Sequence, residues 1–187
     1  MALTPAQLAT LGAAIAAAPD LNSQPAGSDG AFEVARLLNL PSAPVVTVWR
    51  TDVPVNDIFD AIDFTKYTPT DTPDNTTTYL NRTMLLQVKQ INLQLLLQGR
   101  DRLNANKANV RAALRDAVIQ LPSGASGAFT AAGGASGVTV LTACTRPSLR
   151  VESILAGASV SLGVVTAFLI GFEGQVSYQD VQLARGN

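Results

Sequence analysis

The sequence predicts a mainly α-helical protein: a small helical bundle with a minor β hairpin or extended arm and a short C-terminal helix. Three observations support this class. Apolar residues recur at helical spacing in several separate segments, of which residues 80–98 form the strongest. Residues typical of helix starts precede most of these segments. Runs of strand-like composition are few and short, chiefly residues 43–50 and 159–176.

A chain of 187 residues is predicted to form a single domain and is long enough to bury a core without a metal or a disulfide. Within it we distinguish five parts by composition. They are N-terminal helices with an extended segment, a loop, core helices, a flexible loop, and a C-terminal helix with a β arm and a short helix, at 1–64, 65–79, 80–121, 122–137 and 138–187.

The first part is predicted to hold three helices and one extended segment. Thr4 and Pro5 mark the start of an amphipathic helix that stops at Pro19. Ser28 or Asp29 is expected to cap a second helix over 30–39. Two further segments complete this part, an extended one over 43–50 that contains the single tryptophan and a third helix over 52–64.

The core part begins with residues 80–98, which are predicted to form a helix at the centre of the core. Leu80, Met84, Val88, Ile91 and Leu95 run along one face of it, and further leucines widen that face toward the C-terminal end. Gly99 is expected to end this helix.

The next helix is predicted over residues 105–121, capped by Asn104 or Asn106. Its basic residues Lys107, Arg111 and Arg115 repeat at helical spacing. We interpret this stripe as a solvated face, and the alternative is a contact with an acidic protein surface or nucleic acid. Aromatic residues are not interleaved with the stripe, so base stacking is not indicated.

The C-terminal part is harder to assign. Residues 138–156 are interpreted as a helix kinked at Pro147, with a strand through 138–144 as the alternative. Ser177 and Asp180 form a capping-box pattern before the two-turn segment 178–185. Because isolated helices of that length are marginal in water, this segment must dock on its own subunit or on another through Val181, and we expect sister copies or other parts of an assembly to cover it.

Composition argues against catalysis and against disulfide or metal chemistry. The chain has no histidine, one cysteine (Cys144) and no phosphate-binding glycine loop, so we expect no enzyme activity, no cofactor and no metal site. Cys144 is interpreted as a small core residue. Charged residues make up 14% of the chain against about 25% in typical domains. Either Ser, Thr, Asn and Gln form much of its surface or other subunits cover part of it, and we expect both.

Several segments together resemble a family of small structural proteins of tailed bacteriophages. They are "LTPAQLATL", "DGAFEVARLLNL", "VWRTDV", "ANVRAAL" and the ending "GFEGQVSYQDVQLARG". The resemblance runs in islands over most of the chain, and residues 65–80 and 122–140 depart from it in length and composition. Pro147 stands where similar proteins have an unbroken helix.

The resemblance implies a virion component, in particular a head-to-tail adaptor: a homo-oligomeric ring beneath the portal that contacts portal and neck or tail proteins and lets DNA pass without sequence readout. Such a protein is assembled in the host cytoplasm and does not enter a membrane. Alternatives are a decoration or tail-completion protein, a membrane-active lysis protein using residues 153–172, and an unrecognised hydrolase. The candidate interface residues are Trp49, Arg50, Lys107, Arg111, Arg115, Phe129, Phe172, Glu173, Tyr178 and Val181.

Overall fold

The computed structural model of the protein describes residues 3–68, 77–123, 128–130, 140–157 and 167–186. Helices account for 59% of it, so the predicted mainly α class is confirmed. The chain divides into two compact units: unit 1 is Met1–Trp49 with Pro147–Asn187, and unit 2 is Arg50–Arg146. The single-domain organisation stays a prediction.

Short strands are interspersed among the helices of the described residues. The helices are α1 Pro5–Ala17, α2 Pro19–Asn22, α3 Ser28–Leu38, α4 Val55–Asp60, α5 Thr77–Leu97, α6 Ala108–Leu114, α7 Val140–Ala143, α8 Arg150–Leu155 and α9 Tyr178–Arg185. A 3-10 turn covers Phe64–Tyr67, and α6 continues as a π-helical turn over Arg115–Ile119. The short strands are β1 Thr47–Trp49, β2 Val53–Pro54, β3 Arg102–Leu103, β4 Leu121–Ser123, β5 Ala128–Thr130 and β6 Thr145–Pro147.

Unit 1 begins with the helix start that the sequence predicts. The Thr4 hydroxyl accepts a hydrogen bond from the Gln7 amide at 3.3 Å, and the Gln7 side chain accepts one from the Thr4 amide at 2.9 Å. This reciprocal capping box satisfies two amides that the first helical turn would leave unpaired. The predicted cap of α3 is wrong: Gly27, with φ of 101°, is the capping residue, and Ser28 and Asp29 lie in the first turn.

The core of unit 1 lies between α1, α3, α8 and α9. Its buried members are Leu3, Leu11, Ile15, Leu21, Ala31, Val34, Ala35, Leu38, Val151, Phe172, Val176 and Val181. The loop before α9 is fixed by the Asn39 amide, which donates to the Val176 carbonyl and accepts from the Val176 N–H, both at 2.9 Å. The segment after α3 therefore holds the segment before α9.

A buried carboxylate joins α8 to the same loop. Glu152 is 1% exposed, and its two oxygens accept hydrogen bonds from the main-chain amides of Leu149 at 2.8 Å and Gly174 at 2.9 Å. Burying a carboxylate is costly unless hydrogen-bond donors surround it. These two amides therefore stabilise the Glu152 carboxylate inside unit 1.

Residues 138–156 do not form the predicted kinked helix. Val140–Ala143 and Arg150–Leu155 are separate short helices on either side of the extended residues 145–147. Proline disfavours helical geometry in the residue before it and offers no N–H, so the helix cannot continue through Pro147. The alternative strand through 138–144 is also wrong over residues 140–143, and residues 138 and 139 lie outside the described part.

Unit 2 is organised around the inner face of α5. Leu86, Leu93 and Leu97 are buried there, and α5 packs against α6, the π-helical turn and β4. Two short antiparallel pairs complete the unit: Val53 lies opposite Leu103 in β2 and β3, and β4 pairs with β5 within the segment predicted as a flexible loop.

The predicted helix over 105–121 is confirmed in position but not in form. It begins at Ala108 after the cap residue Lys107, not after Asn104 or Asn106, and its last turn is π-helical. The Gln120 amide donates to the Arg115 carbonyl at 3.2 Å, five residues back, and the Tyr67 hydroxyl donates to the Ala117 carbonyl at 2.8 Å. The wider turn thus receives a side-chain partner from the 3-10 turn.

Candidate functional site

The outer face of α5 is the most unusual surface of unit 2, because large apolar side chains cover it. We define this outer face by six residues that are 45–65% exposed: Leu80, Met84, Leu85, Val88, Ile91 and Leu95. Scattered exposed apolar residues are ordinary, but a contiguous apolar patch marks an interaction surface.

The two charged residues of α5 do not relieve this exposure, because both point to the interior. Arg82 is 7% exposed and Lys89 is 8% exposed. The polar residues that flank the outer face are uncharged, for example Asn81, Gln87 and Asn92. A solvent-facing helix of 21 residues without an exposed charge is poorly suited to remain in water.

The spacing within the outer face suits packing against another helix or sheet. Met84, Val88, Ile91 and Leu95 are separated by four, three and four residues, which is the spacing of a coiled-coil seam. Completing the burial of six half-exposed side chains is worth on the order of 5 kcal/mol, taking about 1 kcal/mol for each half side chain. The outer face can therefore contribute substantially to an assembly.

This result corrects the sequence-based prediction for α5. The stripe predicted to lie at the centre of the core, Leu80 to Leu95, is the exposed one, and the buried face is lined by Leu86, Leu93 and Leu97. Both faces are apolar at helical spacing, so periodicity could not distinguish them. The charged residues of the sequence also point the wrong way, because Arg82 and Lys89 lie on the buried face, where the Lys89 ammonium reaches Asp116 of the π-helical turn.

The predicted basic stripe is not a continuous surface. Lys107 and Arg115 are exposed, but the Arg111 guanidinium turns back and donates to the Ala105 carbonyl at 2.7 Å. The stripe is thus split into two separate exposed cations with an internally bonded arginine between them. This arrangement does not support binding along a nucleic-acid backbone, which requires a row of cations that contacts successive phosphates.

The other candidates near the middle of the chain also have internal partners. Trp49 is half-buried in unit 1, and its main-chain amide donates to the Phe168 carbonyl at 3.1 Å. Arg50 of unit 2 forms an ion pair with Asp57 at 3.0 Å. Phe129 lies in β5, and its side chain lies outside the described part of the chain.

The C-terminal candidates belong to the core of unit 1. Phe172 is 5% exposed and Val181 is fully buried, while Tyr178 stacks on Phe32 with ring centroids 4.2 Å apart; Glu173 is half-buried. Their side chains are therefore engaged within the chain. α1 and α3 pack against α9, so the expectation that α9 needs another subunit to cover it is wrong, whereas contacts of the C-terminal segment with other subunits stay a prediction.

Little in the described residues suggests chemistry. Cys144 is fully buried, and burial raises the pKa of its thiol to about 11, so it stays protonated at neutral pH. Over the same residues no three histidine, cysteine or acidic side chains group in a way that could hold a metal ion. None of the helices placed in the structure combines the length and apolarity needed to cross a membrane.

Comparison with known proteins returns no match: no family model, no curated protein and no solved structure is significantly similar to this chain. The surface of the protein and the sequence resemblance are therefore the two indications of its function.

Proposed function

We propose that this protein is a structural component of a tailed-bacteriophage virion, specifically a head-to-tail adaptor that forms a ring beneath the portal. The observation that carries the proposal is the outer face of α5, an apolar and uncharged surface on a helix whose two cations are buried. Such a face is stable in water when another subunit covers it. The bacteriophage context comes from the resemblance described above.

The distribution of charge supports contacts between unlike surfaces of neighbouring copies. Unit 1 carries three basic and six acidic residues, a net charge of −3, whereas unit 2 carries ten basic and eight acidic residues, a net charge of +2. A ring is closed by head-to-tail contacts in which one surface of each subunit meets a different surface of the next. Units of opposite net charge favour that arrangement over pairing of identical surfaces.

In this role the protein acts by assembly and not by a reaction. Subunits pack around a lumen through the outer face of α5, and the ring contacts the portal on one side and neck or tail proteins on the other. DNA passes through the lumen without base-specific contacts, and no cofactor takes part.

The location of the protein in finished particles tests the proposal. A chain carrying an epitope tag in the surface-exposed part of α6, incorporated into particles and labelled with gold-conjugated antibody, should place gold at the single tail-bearing vertex. Labelling over the whole shell would indicate a decoration protein, and labelling along or at the tip of the tail would indicate a tail component. Particles without the protein would refute a structural role.

A charge placed in the outer face of α5 tests whether that surface assembles subunits. Native mass spectrometry should detect the proposed oligomer for the wild type and only the monomer for Ile91→Glu, because assembly would bury a carboxylate without a partner. Asn109→Glu adds the same charge at an exposed position of α6 and is the matched control. An oligomer that tolerates Ile91→Glu as well as Asn109→Glu would show that α5 does not mediate assembly.

A further inference from the structure

Unit 2 also contains an open groove of about 520 Å³ beside the C-terminal half of α5. Its deeper lining comes from buried side chains, Val55, Tyr67, Leu93 and Leu97, and two exposed rings, Phe59 and Phe64, stand with their centroids 6.3 Å apart at its edge. A cleft of this volume with an apolar lining and a few polar groups has the character of a binding site.

The polar groups of the groove are arranged as a row. Gln90 and Gln94 of α5 and Gln98, the residue after its end, line it at four-residue intervals, and their side-chain amides have no hydrogen-bond partner among the described residues. Each amide offers both a donor and an acceptor. The row therefore presents several unused hydrogen-bonding groups along an otherwise apolar cleft.

The spacing of this row matches an extended polypeptide. Four residues of α-helix advance about 6 Å. Two residues of an extended chain advance about 6.6 Å, after which the same main-chain groups recur on the same side. The difference accumulates to little more than an ångström over the three glutamines, which their flexible side chains can absorb.

The single charged residue of the groove indicates which charged group a ligand would carry and at which end. Arg100 is the one charged residue of the lining, and its guanidinium has no ion-pair partner in the part of the chain that the structure describes. It stands two residues after Gln98, just beyond the end of α5, so it lies at the same end of the row. A carboxylate at that end of a ligand would form a charge-assisted hydrogen bond with it.

We propose that this groove binds an extended segment of a partner protein, with alternate apolar side chains in the cleft, main-chain amides bonded to the glutamine row, and a carboxylate at Arg100. A docked helix fits less well, because it satisfies its own main-chain groups and leaves the glutamines unused. Extended segments gain affinity from main-chain bonds and specificity from pockets for alternate side chains. This inference goes beyond the adaptor proposal and does not depend on it.

The experiment is a titration of the ¹⁵N-labelled full chain with an acetylated hexapeptide of alternating threonine and valine that ends in a free carboxylate. We expect main-chain amide signals of Leu93, Gln94 and Leu97 to shift with saturation. Gln94→Ala should weaken the peptide Kd by about threefold to tenfold, the effect of one neutral hydrogen bond. Arg100→Gln should weaken it by at least about tenfold, as expected for a charged partner.

Asn92→Ala is the matched control, because it removes an exposed amide from the same helix without altering the lining of the groove. It should leave the peptide Kd unchanged, and circular dichroism should show all three variants to be folded. Equal Kd values for wild type, Gln94→Ala and Arg100→Gln would overturn the proposal, as would the absence of shifts at millimolar peptide.

Two further probes separate main-chain recognition from a general affinity for apolar acids. A hexapeptide that is N-methylated at alternate residues keeps its side chains but loses main-chain N–H donors. Its Kd should be at least about fivefold weaker than that of the unmethylated hexapeptide. Decanoate should shift the groove signals less than the hexapeptide does at equal concentration. Stronger binding of decanoate, or equal binding of the methylated peptide, would overturn recognition of an extended chain. Absence of the protein from particles would refute the adaptor proposal and leave these results intact.

Discussion

Lys89 of α5 reaches out of the core of unit 2 to the main-chain carbonyl and the carboxylate of Asp116 in the π-helical turn. Its side chain is 9% exposed, and its ammonium lies 3.0 Å from the Asp116 Oδ1 atom. The contact lies on the face of α5 that is turned inward with Leu86, Leu93 and Leu97, and the opposite apolar stripe is left outside.

Replacing Lys89 should therefore destabilise unit 2. We expect Lys89→Ala to lower the free energy of unfolding by about 2–3 kcal/mol, because it removes a charge-assisted hydrogen bond and the packing of the aliphatic stem. Lys89→Met should cost about 1 kcal/mol or less, since an apolar side chain of similar volume fills the site. Urea denaturation followed by circular dichroism measures both. Lys107→Ala, at an exposed position, is the control, and an equal loss in all three variants would contradict this role for Lys89.

Two neighbouring positions of α5 should lose very different amounts of stability on truncation. Leu93→Ala, on the buried face, should lower the unfolding free energy by about 2–5 kcal/mol. Ile91→Ala, on the outer face, should lower it by less than about 1 kcal/mol when measured at concentrations where the chain is monomeric. Equal losses would mean that the outer face is buried within the monomer.

The close approach of α1 and α9 in unit 1 depends on a glycine. A Cβ atom on Gly12 would lie far inside van der Waals contact of the Ala184 carbonyl, whereas one on Gly171 would meet nothing within 4 Å. We expect Gly12→Ala to lower the midpoint of thermal unfolding, with a cost of about 1–3 kcal/mol that outweighs the better helix propensity of alanine. Gly171→Ala is the control and should leave the midpoint nearly unchanged. A Gly12→Ala protein as stable as the control would show that α9 packs elsewhere.

The pH dependence of stability should reveal the buried tyrosine. Burial raises the pKa of Tyr67 to about 12, above the ordinary value of 10.0 that applies in the unfolded chain. The stabilisation of the neutral hydroxyl is complete below pH 10 and is lost as the pH rises toward 12, because the unfolded state ionises first. The difference in unfolding free energy between wild type and Tyr67→Phe should therefore narrow between pH 9 and pH 12. A difference that stays constant over this range would contradict the burial of the hydroxyl.

The thiol of Cys144 should be inert in the folded protein. It is fully buried and its pKa is raised to about 11 by that burial. Alkylation by iodoacetamide at pH 8 should be at least about a hundredfold slower than in 6 M urea, because reaction requires transient opening. Comparable rates in the two conditions would mean that the thiol is accessible in the native state.

Local signals in the sequence predicted the starts of helices well where a side chain makes the cap. Thr4 caps α1 as predicted, in a capping box with Gln7 that was not predicted, and Ser177 forms the predicted capping box with Asp180; both partners lie three residues away and need no tertiary context. The cap of α3 was missed, since Gly27 caps through its backbone conformation and competes with two better-known capping residues beside it.

Tertiary choices were beyond the reach of local patterns. α5 is apolar on two sides, and hydrophobic periodicity cannot tell which side meets the core. The same limit explains the candidate residues at the C-terminus: their aromatic and apolar character suggested contacts, but the sequence did not say whether α1 and α3 or another subunit would supply them. The glutamine row of the groove was overlooked because amides carry no distinctive motif.

Unit 1 is assembled from the first and the last parts of the chain, and this order has a consequence during synthesis. α1 and α3 leave the ribosome well before the segment that holds α9, with roughly a hundred residues of unit 2 translated between them. Translation proceeds at about 5–20 residues per second, so α1 and α3 spend on the order of ten seconds without α9, the helix that completes their core. We therefore expect chaperones and proteases to encounter an incomplete unit 1 during synthesis, whereas unit 2 is continuous in the chain and can fold as it emerges.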